Sequence, residues 1–141
     1  MKRLVSATIL ILFICLTVSA AFASGIEIRK DGMMWGNVEN DGTIRKDGMM
    51  VGSIDSGGTI RRNGMMAGSI EKDGTIRKDG MMIGNIERDG TLRKSGMMIG
   101  KIESDGTIRK NGMMWGSASN CSSDYDKFKV AAVLYFFTGE F

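Results

Sequence analysis

Ile44–Thr59 reads IRKDGMMVGSIDSGGT, and the phrase returns every 16 residues with almost no drift. One copy precedes it from Ile28 (IRKDGMMWGNVENDGT). Three follow, from Ile60 (IRRNGMMAGSIEKDGT), Ile76 (IRKDGMMIGNIERDGT) and Leu92 (LRKSGMMIGKIESDGT), and a shorter sixth starts at Ile108 (IRKNGMMWGSASN). Self-similarity at a fixed period marks a repeat architecture, in which each copy buries its apolar face against its neighbours. It also bears on function, because whatever one copy does its neighbours can do almost identically.

Each copy carries two glycine turns, Lys46-Asp47-Gly48 and Asn40-Asp41-Gly42 with their equivalents. An x-Asp-Gly triplet suits a three-residue hairpin loop that ends on a left-handed residue. Between the turns lie a short strand, Thr43-Ile44-Arg45, and a longer one, Met49 to Asp55, neither with a helical period. Three-residue loops at both ends pair Ile44 with Met50 and Val38 with Ile44. They place Ile44, Met50, Gly52 and Ile54 on an inner face, and Thr43, Arg45, Met49, Val51, Ser53 and Asp55 on an outer one. Two-residue loops would set Lys46 beside Ile44, and a one-residue slip exchanges the faces. Gly36, Gly52, Gly68, Gly84, Gly100 and Gly116 recur mid-strand on the inner face. That position implies either close approach of another backbone or a bend in each long strand. Both support a closed radial array of short two-stranded hairpins, flower-, propeller- or barrel-like and all-β, which also removes exposed sheet edges.

The pattern G-x-x-x-G-x-I-x-x-D-G-T-I-R, running through Gly25 to Ser119, resembles that of the five-fold β-flower proteins, a family of small secreted bacterial proteins. The phenylalanine-rich C-terminus, Val130 to Phe137, is similar to theirs as well. The resemblance implies a radial array of hairpins and no catalytic residues. The chain has six Gly-Met-Met strands but five loops of the x-Asp-Gly-Thr kind, one of them with Gly57 in place of the aspartate. Five units plus one split between the two ends, or six-fold closure, both accommodate that count.

The flanks are distinct. Lys2 and Arg3, the apolar run Leu4 to Val18 and the small-x-small site Ala21-Phe22-Ala23 read as a secretory signal peptide over 1–23, cleaved near Ala23. The expected location is therefore periplasmic, secreted or cell-surface. Without Lys2 and Arg3, 17 basic side chains face 16 acidic ones. Such a balance favours neither nucleic acid nor an anionic membrane as a partner held mainly by net charge. Residues 24–119 form the repeat domain, 120–129 a polar connector, and 130–141 an apolar strand or plug. Only Cys121 remains after cleavage, so no internal disulfide is available, although Cys121 permits a disulfide-linked dimer.

The chain contains no histidine, no Ser/His or Cys/His pair and no carboxylate pair in a unique setting, so no enzyme activity, metal or cofactor is expected. The Asp-Gly turns supply one carboxylate each, where calcium requires six to eight converging oxygens. The Arg-Lys pairs each have an acid diagonal to them, Glu39 by Arg45, Asp55 by Arg61 and Glu71 by Arg77, and read as a solvated mixed-charge face. Twelve of the thirteen methionines stand in six adjacent pairs. The outward members, Met33, Met49, Met65, Met81, Met97 and Met113, together with Trp35 and Trp115, form the candidate contact surface. The two tryptophans occupy one repeat position in the first and last copies, where covering the ring's seam is the alternative role. The expected function is a non-enzymatic exported binding or envelope-associated structural module, with a protein or glycan partner and membrane association without spanning. The alternatives are a methionine-based Cu(I) or oxidant buffer and a small outer-membrane β-barrel. The last has strands of about seven residues, where a spanning strand needs about 9–11.

Overall fold

The computed structural model describes residues 25–141; the signal peptide read over 1–23 lies outside them. The six copies form six hairpins. These are β1–β2 (Ile26–Lys30, Met33–Val38), β3–β4 (Thr43–Lys46, Met49–Ile54) and β5–β6 (Thr59–Arg62, Met65–Ile70), then β7–β8 (Thr75–Lys78, Met81–Ile86), β9–β10 (Thr91–Lys94, Met97–Ile102) and β11–β12 (Thr107–Lys110, Met113–Ala118). All neighbours are antiparallel, and β1 returns to β12 through Ile28↔Ala118, Arg29↔Ser117 and Lys30↔Gly116. The sheet is thus a closed barrel of six hairpins. Closure leaves no barrel edge on which another chain could template.

The two kinds of turn differ. At Asn40-Asp41-Gly42 the loop has the expected three residues: Val38 pairs with Ile44, and the Glu39 N–H donates to the Thr43 carbonyl at 2.8 Å. Gly42 sits at φ 93°, where a side chain would be strained. The expected three-residue loop at 46–48 is corrected. Lys46 pairs with Met49 and Arg45 with Met50, leaving a two-residue turn at Asp47-Gly48. Both turn residues are left-handed, at φ 54° and 80°, as a type I′ hairpin requires. The register then shifts, so that Ile44 faces Gly52. This bulge at Val51 absorbs the odd residue and returns Gly52 and Ile54 to the inside.

The bulge has a second consequence. Paired residues share a face, so Met49 lies on the Lys46 side and Met50 on the Arg45 side, the reverse of the expected assignment. Met50 and its equivalents are not core. They are exposed, like their Met49-type neighbours. The core consists instead of the isoleucine layers, Ile28, Ile44, Ile60, Ile76, Leu92 and Ile108, with Val38, Ile54, Ile70, Ile86 and Ile102. Ile76 is fully buried, whereas Met81 is 68% exposed. Ile76→Ala should therefore cost about 2–4 kcal/mol and Met81→Thr less than about 0.5 kcal/mol. Urea midpoints check both, and equal losses would refute the register.

The end of the barrel opposite the tight turns is stitched by its loops. The Ile54 N–H donates to Gly42 O at 2.9 Å, Ile86 repeats the bond to Gly74, and Ala118 repeats it to Gly106. Asp41, Asp73, Asp89 and Asp105 each accept the N–H of the threonine two residues on, at 2.9–3.0 Å. That bond, reinforced by the threonine hydroxyl, holds all four carboxyls below their usual range. Because the folded pKa lies below the unfolded value of 3.8, these groups stabilise the fold above that pH. The contribution is lost as pH falls through the folded pKa. The variant with all four changed to Asn keeps a neutral acceptor, so it should lose less stability than the parent between pH 7 and about pH 3. Identical acid sensitivity in urea titrations would contradict this origin. In the second loop Gly57 replaces the aspartate, and Asp55 takes over by accepting from both Gly57 and Thr59 at 3.0 Å. Asp55 is thereby withdrawn from Arg61, and the expected diagonal pair does not form. Those of Arg45–Glu39 and Arg77–Glu71 do, at 2.6 and 2.7 Å.

The tail is a helix, not a strand. Helix α1 spans Asp124–Phe136, so the expected connector over 120–129 ends inside it. Its start is a capping box: Ser123 Oγ accepts from the Asp126 N–H, and the Asp126 carboxylate accepts from the Ser123 N–H. Val130, Ala131, Ala132, Val133 and Leu134 are all fully buried. A helix apolar all round belongs where every side meets protein. Here that place is the lumen, which α1 fills as a plug. Eight strands already enclose a lumen that side chains alone just fill; twelve leave room for a helix.

Candidate functional site

Hydrogen bonding between adjacent hairpins reaches only the base of the tight turns, where the N–H groups of Asp31, Asn63 and Asn111 donate to the Trp115, Val51 and Ile99 carbonyls at 3.0–3.3 Å. Strand β4 meets β5 only at Gly52↔Arg62, Ser53↔Arg61 and Ile54↔Ile60, while Met49 and Met50 pair only within their own hairpin. The methionine-bearing ends of the long strands therefore stand beyond the inter-hairpin ladder as six petals joined at their bases. Their methionine pairs are 52–72% exposed, and together they form a crown of twelve thioethers at one end of the molecule.

The pleat sorts the crown into two circles. On the axial side, each Met49-type residue is paired with a cation: Lys30, Lys46, Arg62, Lys78, Lys94 or Lys110. On the outer side, each Met50-type residue is paired with an arginine, from Arg29 to Arg109. Five of the outer arginines are bound to glutamates, at 2.6–3.3 Å. These are half-exposed pairs worth about 0–1 kcal/mol each.

The axial cations surround the end of the plug. Lys30 binds Glu140 at 2.5 Å, and Trp115 Nε1–H donates to the same carboxylate at 2.9 Å. These two donors hold Glu140 below its usual pKa. Arg62 donates to Phe136 O at 3.4 Å and Lys94 to Phe141 O at 3.3 Å. Lys110 lies 5.4 Å from the Phe141 ring centre. Lys46 sits over Trp35 at 5.1 Å. Among the described residues, Lys46 and Lys78 make no ion pair.

The proposed contact residues thus divide. Met33, Met49, Met65, Met81, Met97 and Met113 are all open to solvent. Trp115 is buried, edge-on to Phe141 at 5.5 Å between centroids, and is corrected from contact residue to cover. Trp35 is half-buried against the core. The two flank β1, which lies between β2 and β12 at the seam. Sequence reasoning missed the cation circle because it placed Lys46 in a three-residue loop; the two-residue turn keeps Lys46 in β3, two residues on from Ile44 and on the same face. It missed the helix too, although Ser123-x-x-Asp126 before an apolar run was the available signal.

The remaining features offer little chemistry. Among the described residues, no group of three or more His, Cys, Asp or Glu is placed to hold a metal ion. Cys121 is buried, and burial, then the Asp126 charge, pushes its thiol up to about 11; a thiol so protonated is a poor nucleophile. At the loop end a cleft of about 420 Å³ lies beside α1, between Gly57, Ile70, Lys72, Arg88, Tyr125 and Phe128. No helix among the described residues is long and apolar enough to cross a membrane. Comparison with known proteins finds no matching family model, no matching curated protein and no matching solved structure.

Proposed function

We propose that this chain is a non-enzymatic, exported binding or envelope-associated structural module of the β-flower type, which meets its partner through the methionine crown. The observation that carries the reading is the exposure of all twelve tip methionines. Soluble proteins seldom leave so much apolar side chain in contiguous display without a use for it. The lumen offers no competing site, since the protein's own helix fills it. Met49→Gln, Met81→Gln and Met113→Gln combined should leave the fold intact, because none of the three is in the core. Capture of a glycan on an array, or of a protein from envelope extracts, should be lost in this variant. Undiminished capture would remove the crown as the contact face.

A second reading is favoured by the same exposure. Twelve accessible thioethers suit an oxidant buffer, each taking up one oxygen to become a sulfoxide, or a low-affinity Cu(I) surface. Sulfoxide formation at peroxide levels that leave activity-independent folding markers unchanged would support it. Preferential oxidation elsewhere would not. The outer-membrane barrel is the least favoured reading. The strands are four to six residues long, and their outward positions carry Thr43, Arg45 and Ser53 instead of an apolar band. Burial of Cys121 likewise disfavours a disulfide-linked dimer, which would first require the 119–123 segment to open.

A further inference from the structure

We propose that the crown docks onto the surface of an anionic phospholipid bilayer, with the hairpin tips at headgroup depth. The inference rests on the crown being the contact face and names what it contacts.

Three observations converge on a lipid surface. First, each tip combines an apolar insert with a cation directly opposite it in the ladder, as Met49 with Lys46 and Met81 with Lys78. Peripheral membrane binders use this same combination of apolar burial and attraction to anionic headgroups. Second, charge is distributed along the barrel axis. The axial cation circle occupies the tip end, with Glu140 the acid paired to it. Asp41, Asp73, Asp89, Asp105, Asp124 and Asp126 gather at the opposite end, in the loops and at the start of α1, where they outnumber the neighbouring cations Lys72, Arg88, Lys101 and Lys127. A near-neutral chain is thereby polarised, and a negative surface would orient it tips first. Third, the petals are joined only at their bases, and the methionine pairs have no ladder partner in the next hairpin. Between β6 and β7 a cleft of about 190 Å³ runs past Met66, Ala67 and Gly68 to Arg77 and Asp79. Tips with gaps between them present no continuous pocket for a protein's aromatic anchor. Mobile headgroups can occupy such gaps, and unbranched methionines adapt to a fluid surface. Working against the attraction are three carboxylates at the turns themselves, Asp31, Asp47 and Asp79, which supply a further test.

The experiment is co-sedimentation of the mature chain with phosphatidylcholine vesicles, with and without phosphatidylglycerol. Binding should require phosphatidylglycerol and fall at least about tenfold in about 1 M salt, where the Debye length is about 3 Å. The Lys46→Gln/Lys78→Gln variant, which removes two cations that hold no part of the plug by an ion pair, should weaken binding several-fold. The Asp31→Asn/Asp47→Asn/Asp79→Asn variant should strengthen it. The Met49→Gln/Met81→Gln/Met113→Gln variant should lose it, with near-UV circular dichroism confirming that each variant is folded. No binding to anionic vesicles, or equal binding to neutral ones, overturns the inference. If the parent ignores vesicles yet captures a glycan or protein through its methionines, the lipid assignment falls and the contact face stands. If vesicle binding survives methionine replacement, both fall.

Discussion

Deletion of residues 124–141 is expected to abolish cooperative folding of the barrel, although it leaves every strand of the repeat in place. Val130, Val133 and Leu134 have no exposed surface, and Tyr135, Phe136 and Phe141 have less than a tenth of theirs. Side chains of this size contribute about 1.5–3 kcal/mol each when fully buried. Six of them match or exceed the about 5–15 kcal/mol by which an ordinary domain is stable. Without the helix, the isoleucine layers would line an open lumen. The inter-hairpin ladders, only two or three residue pairs long, could not compensate. The measurements are a thermal melt followed by circular dichroism and binding of an apolar dye. The truncated chain should show no sharp transition, bind dye and aggregate. A cooperative melt near that of the parent would mean that the barrel is self-sufficient and the helix only an occupant.

Gly84→Val should be nearly as severe, and the sign of the effect is the informative part. Valine is among the best strand formers, and propensity alone would gain up to about 1 kcal/mol from the exchange. A Cβ at Gly84, however, would stand 2.3 Å from Arg93 O on the neighbouring strand and 3.0 Å from the Tyr135 ring. The carbonyl belongs to the barrel ladder, and Tyr135 itself donates its hydroxyl to it at 2.6 Å. Neither neighbour can withdraw without breaking a strand pairing or shifting the plug. A loss of more than about 4 kcal/mol is expected. Gly80→Ala is the control. It has open space around it but sits at φ 80°, so it should cost about 1–2 kcal/mol from backbone strain alone. A folded Gly84→Val protein, as stable as the parent, would show that close strand approach does not select glycine here.

The mid-strand glycines illustrate how far sequence reasoning reaches. Their recurrence implies backbone crowding or a bend. The crowding is real, but its source is the arginine carbonyl of the next hairpin joined by an aromatic ring from the plug, as at Gly52 with Arg61 O and Phe137. A periodic sequence can announce that space is short at each copy. It cannot say which distant residues consume that space.

The methionine pairs show the same boundary on the functional side. Read as a regular strand, Gly-Met-Met-x-Gly puts alternate methionines inside. A single bulge at each x reverses the pleat between Met50 and Gly52 and exchanges the two, so that Met49 takes the axial side and Met50 the outer; both stay exposed because they stand beyond the inter-hairpin ladder. A bulge is chosen by the balance between a two-residue turn at Asp47-Gly48 and the need to bury Ile44, Gly52 and Ile54 together. That balance involves both flanking strands and the neighbouring hairpin, so no local rule expresses it. The position of Trp115 is decided in the same way, by Phe141 and Glu140 more than twenty residues on.

By itself, then, the 16-residue period determined an all-β ring of hairpins, its closure of β1 on β12, the three-residue Asp-Gly loops and the isoleucine core. Each of these follows from turn chemistry and side-chain alternation repeated within a few residues. The tail was legible as a strand or plug, but tertiary structure decided that the plug is a helix in the lumen, that both members of each methionine pair are exposed, and that a circle of cations stands beside them. These depend on the diameter of the closed ring and on contacts between residues far apart in the chain, quantities that exist only once the six hairpins have met.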